Sequence, residues 1–316
     1  MWILHSGYRH LFIVPIPARL HNLVLLVGTK ILPNGARELI FKGMIMNISP
    51  LPLARNISTS YTLSLIVALV MAAVSLAGLL FQSSIYPIEE LRQSFVSNDV
   101  VNVFIGLPIL LGSMSSAQRG KLIGLLFWLG ALFYTTYNYI AYAVAMPFTL
   151  LFLPYLALVV LSLYTVVGLL SSVDSAAVQQ RLKGTVPERF AGGVLVGFGA
   201  LFFLRGISQV VGIISGQVAL TGPELAVLVA DLVTTPSWVV GGILLWRRQA
   251  FGYVTGVGLL FQASMLFIGL LVFFILQPFL TATLFPVEDF VVIFIMGLVC
   301  FIPFGLFVRG VMSRRE

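Results

Sequence analysis

The sequence predicts an all-α, polytopic membrane bundle of about eight transmembrane helices, with both termini in the cytoplasm. Three observations predict it. The chain of 316 residues is 59% hydrophobic and 9% charged, with a mean hydropathy of +1.06, whereas soluble domains carry about 25% charged residues. Its apolar residues gather in stretches long enough to cross a hydrocarbon core, which takes roughly 20 residues. Lysine and arginine collect at every second junction between those stretches, as they do in cytoplasmic loops.

The stretches, in order, are 61–81, 99–115, 122–144, 148–171, 192–214, 225–245, 253–276 and 290–308. The second is the shortest and contains Pro108; the sixth contains Pro236. A proline removes one intrahelical hydrogen bond, so the sixth stretch reads as a helix broken at Pro236. Asp99 reads as the start and N-cap of the second stretch.

The junctions set the orientation. Arg55, then Arg119 and Lys121, then Arg181, Lys183 and Arg189, then Arg247 and Arg248, then Arg309, Arg314 and Arg315 fall on one side. The other side holds Glu89, Glu90 and Asp99, then Glu224, then Glu288 and Asp289, with Arg92 the single base among them. The basic side is assigned to the cytoplasm of a cell with this protein in its plasma membrane.

Five segments follow. Residues 1–60 are a basic extension that holds all three histidines, His5, His10 and His21. Stretch 11–32 is interrupted by Pro15, Pro17, Arg19 and His21 and reads as neither span nor signal peptide. Met44 and Met46 precede the first good span, so the extension reads as disordered or as an over-extended start. Residues 61–172 form a first four-helix half, 173–190 a cytoplasmic loop, 191–308 a second four-helix half, and 309–316 a cytoplasmic tail. A shift of 132 residues carries Asp99 onto Asp231, Gly120 onto Gly252 and Gly124 onto Gly256. That allows a 4+4 parallel internal repeat about an axis along the membrane normal.

Charges inside the hydrocarbon are costly and need a reason. Arg205 and Asp231 are the two deep ones. At about 1.5 Å per residue, Arg205 lies ~20 Å from the cytoplasmic face and Asp231 ~9 Å below the outer face. The two depths agree, and antiparallel neighbours could join the residues as an ion pair. Asn102, Tyr137, Asn138 and Gln209 fall at a similar level, Tyr137 and Asn138 within the run Tyr-Thr-Thr-Tyr-Asn-Tyr. Together they suggest a polar pocket in the outer half of the bundle. The bland reading is structural: polar pairs also glue helices together, and tyrosines form interfacial belts.

The composition excludes much chemistry. No histidine follows His21, which argues against bis-histidine haem, histidine-ligated iron or zinc, and serine–histidine dyads. The lone cysteine, Cys300, supports neither a disulfide nor a cysteine metal site. No lysine within a span can hold retinal, and Gly120-Lys121 lacks the rest of a Walker A loop. With Asp231 the only deep carboxylate, a long proton relay is not expected. The expectation is therefore a non-enzymatic membrane protein without cofactor or metal. It does not bind nucleic acid, because its net charge of +7 sits in short loops. The leading reading is a small-solute transporter or channel-like protein for a small polar or anionic solute. The alternative is a scaffold or sensor subunit that partners another membrane protein. The bilayer is the certain partner, and assembly into a homo- or hetero-oligomer is compatible with the chain.

Overall fold

The computed structural model describes residues 51–281 and 284–313. The three histidines and the Met44/Met46 start lie outside the described residues. The described chain is an all-α membrane helix bundle: α1 (Ser58–Leu80), α2 (Gln82–Ile85), α3 (Glu89–Val101), a π-helical turn (Asn102–Gly106), α4 (Leu107–Gln118), α5 (Leu122–Ala145), α6 (Phe152–Ser172), α7 (Ser175–Leu182), α8 (Glu188–Ile214), α9 (Gly222–Trp246), α10 (Ala250–Thr281) and α11 (Val287–Met312).

Seven helices, with Glu89–Gln118 taken as one, are long and apolar enough to cross a membrane. The remaining long helix, α5, has 24 residues and falls outside that set. Its second half carries Tyr134, Thr135, Thr136, Tyr137, Asn138, Tyr139 and Tyr142, all buried. Helix α5 packs against α4, α6, α9 and α10. A polar stripe is affordable there because it faces protein, where hydroxyls and amides find partners, and not lipid. Lipid-type faces lie on the periphery: Leu201, Leu204, Ile207 and Val211 of α8 and Val291, Val292, Ile295 and Val299 of α11 are exposed.

The second span departs from expectation. It begins at Glu89, ten residues before Asp99, and Asp99 is an interior residue of α3 and not a cap. Pro108 explains the π turn. It has no N–H for the carbonyl four residues back, and its ring crowds that carbonyl. The wider turn ahead of it relieves the crowding, with the Leu107 N–H reaching the Asn102 carbonyl. Pro236, by contrast, does not break its span: α9 is continuous from Gly222 to Trp246. There the Thr235 hydroxyl donates to the Asp231 carbonyl at 2.7 Å and Thr234 to Ala230 at 2.8 Å.

Connections alternate between two ends. At one, Ala54 donates to Ser172 and Asp174 to Pro52, closing a small bridge between Leu53 and Val173. Part of the segment read as an extension is thus built into the bundle end. The Gln179 side chain bonds the Arg248 carbonyl at 2.6 Å, and Gly310 abuts Thr185. This end carries the basic residues. Two acids also sit there, and both are engaged: Asp174 caps α7 by accepting from Ala177, and Glu188 accepts from the Gly184 N–H and the Tyr253 hydroxyl, each at 2.9 Å. The opposite end carries Glu89, Glu90, Glu224, Glu288 and Asp289.

Two hairpins repeat one geometry. Gly120 bonds Ala117, Lys121 bonds Ser116 and Gly124 bonds Lys121; Arg248 bonds Leu245, Gln249 bonds Leu244 and Gly252 bonds Gln249. Gly120 and Arg248 both adopt left-handed backbone, at φ 77° and 58°. The register is 128 residues, which carries Pro108 onto Pro236 and differs from the 132 expected. The same register carries Gly130 onto Gly258 and Phe133 onto Phe261, and these meet reciprocally. A Cβ on Gly130 would lie 2.9 Å from Phe261, and one on Gly258 would lie 3.3 Å from Phe133. That is the self-complementary pattern of a two-fold contact.

The left-handed Arg248 carries a penalty that its counterpart Gly120 avoids. Its ion pair to Glu188 spans 3.8 Å and the arginine is half exposed, so the pair contributes little. Arg248→Gly is expected to raise thermal stability in detergent by about 0.5–1 kcal/mol. A loss of stability would show that the arginine side chain outweighs the backbone strain.

Candidate functional site

Two polar groupings lie in the half of the bundle near the acidic end. The first is closed. Asp99 is 0% exposed. One carboxylate oxygen accepts from Tyr142 at 2.8 Å and the other from Tyr86. Gly78 makes room: a Cβ there would fall 2.0 Å from the carboxylate. One turn further along, Asn102 is also fully buried. Its amide nitrogen donates to Ser75 at 3.2 Å, and its oxygen accepts from Tyr134 at 3.0 Å and Asn138 at 2.8 Å. Tyr139 shares the Ser75 hydroxyl at 3.2 Å. Phe95 packs edge-on against Tyr142, and Tyr155 packs against it at a tilt.

The second grouping is open. A cavity of about 380 Å³ lies among α3, α5, α8, α9 and α10. Five of the six residues singled out in the sequence line it: Arg205, Asp231, Tyr137, Asn138 and Gln209. Asn102 does not; it stands one residue behind the wall and holds Asn138 and Tyr134, which do line it. The cavity reaches the acidic end at Pro223 and Glu224 and runs inward to Trp238. Asp231 lies nine residues into α9 and Arg205 nine residues from the end of α8, so both sit ~13 Å below that end.

Arg205 and Asp231 share the cavity but form neither a hydrogen bond nor an ion pair. The expected pair is therefore absent among the described residues. The reason is where each helix face points. The α8–α9 seam is built on small residues: a Cβ on Gly192 would lie 2.6 Å from the Gly242 carbonyl, and one on Gly206 would lie 2.8 Å from Leu232. Arg205, the neighbour of Gly206, is turned about 100° away from that seam. Asp231, the neighbour of Leu232, faces α5 instead, and its Oδ1 accepts from the Tyr137 hydroxyl at 2.9 Å. The guanidinium remains exposed to the cavity, electrostatically coupled to Asp231, Tyr137 and Glu224 without touching them.

Sequence reasoning missed part of the lining. Asn98, one helical turn before Asn102, lines the cavity that Asn102 itself does not reach. Glu224 was read as a loop residue. It is the third residue of α9 and forms a capping box with Thr221, accepting from its N–H at 2.8 Å. Phe202, Trp238, Phe267 and Phe273 supply aromatic wall. Trp238 is held by Gln262, its indole N–H donating at 3.1 Å.

Chemically, the cavity offers a guanidinium whose five donors find no partner among the described residues, a carboxylate oriented by a tyrosine, three carboxamides and an apolar floor. No group of three or more metal-ligating His, Cys, Asp or Glu side chains exists among the described residues. Compared with protein-family models, curated proteins and solved structures, the chain matches none.

Proposed function

We propose that this chain is a small-solute transporter of the cell membrane, with the Arg205–Asp231 cavity as its solute site. One observation carries the reading: two opposite charges share a cavity inside a membrane bundle without neutralising each other. An unpaired guanidinium at that depth is expensive unless water or a ligand answers it. A structural pair would have closed; this arrangement leaves a polar site of ligand size. The charge segregation of the two ends supports an eight-span topology with the basic end and both termini in the cytoplasm, so the cavity faces outward. The matched hairpins and the reciprocal Gly130/Gly258 contact support a parallel duplication, which would give transport a natural hinge between halves. No step of covalent chemistry is assigned to the site, and no cofactor or metal is needed.

The test uses introduced cysteines, since the native Cys300 is buried. Val227→Cys and Asn138→Cys, at the mouth and the inner wall, should react with a membrane-impermeant maleimide added outside. A transporter exposes its site alternately, so Asn138→Cys should also react from the cytoplasmic side in inverted vesicles. Reaction from the outside only would favour a receptor or scaffold, and no reaction from either side would remove the solute-site reading.

A further inference from the structure

We propose that the cavity takes a small zwitterion with an apolar body, of the α-amino acid class. This deepens the solute-site reading above and rests on it. The argument begins with charge. Three ionic groups address the cavity: Arg205 on α8, and Asp231 and Glu224 on α9. Asp231 spends one oxygen on Tyr137, and the other accepts nothing among the described residues. Glu224 spends one oxygen on Thr221, at 2.8 and 3.0 Å. Arg205 spends none of its donors among the described residues.

A simple anion would satisfy Arg205 but would meet two carboxylates in a poorly screened space. A simple cation would satisfy the carboxylates but would meet the guanidinium. A molecule with one charge of each sign, a few bonds apart, answers both and brings no net charge into the bundle. The guanidinium presents the planar fork that matches a carboxylate. Asp231, turned and held by Tyr137, presents its free oxygen to an ammonium.

The gap between the two charges is also built to stay open. The glycine seam fixes α8 against α9 with Arg205 turned away from it, so the charges cannot collapse onto each other by a rotamer change of Asp231 alone without leaving Tyr137 unpaired. The walls then set the rest of the molecule. Phe202, Trp238 and Phe267 give an aromatic floor, which accepts an apolar side chain and can lie under an ammonium. A volume of about 380 Å³ is at the small end of ligand sites and is enough for one amino acid.

The experiment is isothermal titration of the purified full-length protein in detergent with three probes of one shape: L-phenylalanine, 3-phenylpropanoate, which lacks the ammonium, and 2-phenylethylamine, which lacks the carboxylate. Phenylalanine is expected to bind at least tenfold more tightly than either of the others. Arg205→Gln should reduce phenylalanine binding at least tenfold. Asp231→Asn keeps an acceptor for Tyr137 and should reverse the preference toward 3-phenylpropanoate. Equal or tighter binding of 3-phenylpropanoate by the unaltered protein would make this an anion site, and of 2-phenylethylamine a cation site; either overturns the proposal. Binding of none of the three, with the cavity cysteines still reactive, overturns the zwitterion and leaves the solute site standing. Binding of none with the cysteines unreactive removes both.

Discussion

Asp99→Ala is expected to lower stability in detergent by about 3 kcal/mol, the largest effect of any single side-chain truncation in the polar half of the bundle. The carboxylate is fully buried and is the shared acceptor for Tyr86 and Tyr142. Removing it strands the Tyr86 hydroxyl, at a cost of about 1–3 kcal/mol, and leaves Tyr142 only its longer bond to the Phe95 carbonyl at 3.2 Å. Tyr86→Phe and Tyr142→Phe should each cost about 1 kcal/mol. The double variant Asp99→Ala/Tyr142→Phe should cost less than the sum, because the Tyr142–Asp99 bond is lost only once. Asp99→Asn retains one acceptor oxygen and should fall between. Gly78→Ala should reproduce much of the loss by steric means, since its methyl would overlap the Asp99 carboxylate and approach Tyr86. The measurement is the thermal midpoint of the purified protein for all six variants. If Asp99→Ala changed stability by less than about 0.5 kcal/mol, as a frayed helix cap would, the buried network would have no role in holding the bundle.

That residue also marks where the sequence was legible and where it was not. The all-α membrane bundle and the charge difference between its ends follow from hydropathy and from the basic loops, because insertion energetics act on composition. The start of the second span does not, because Glu89, Glu90, Arg92 and Gln93 push local hydropathy down while lying on the outer face of the same helix. Spacing would have found it: Leu91, Phe95, Asp99 and Asn102 recur at four, four and three residues and form one buried face. The repeat was sought by matching two aspartates across halves, whereas the two hairpins match in backbone geometry at a shift of 128 residues, which also aligns Pro108 with Pro236. Pro236 was read as a break, yet threonine hydroxyls reinforce the preceding turn and the helix continues. The candidate site was legible in depth but not in direction. Rise per residue places Arg205 and Asp231 at one level. Which way each points depends on the glycine seam between α8 and α9, a packing fact that no single helix contains.

The missing ion pair yields the second large effect, and it separates the two charges. Asp231→Ala is expected to cost about 2 kcal/mol, since it leaves the Tyr137 hydroxyl buried without an acceptor. Tyr137→Phe should cost about 1 kcal/mol, and the two together little more than Asp231→Ala alone, giving a coupling of about 1 kcal/mol. Arg205→Gln should leave the thermal midpoint nearly unchanged, because the guanidinium holds no partner among the described residues and a neutral amide is cheaper at that depth. Exchanging the charges, with aspartate at 205 and arginine at 231, should not restore stability, since arginine cannot accept from Tyr137. A direct ion pair makes the opposite forecast at every step: both neutralisations destabilise alike, and the exchange recovers the loss. Stability that depends on Asp231 but not on Arg205 would mean that the fold spends one charge on itself and holds the other in reserve, as a solute site requires.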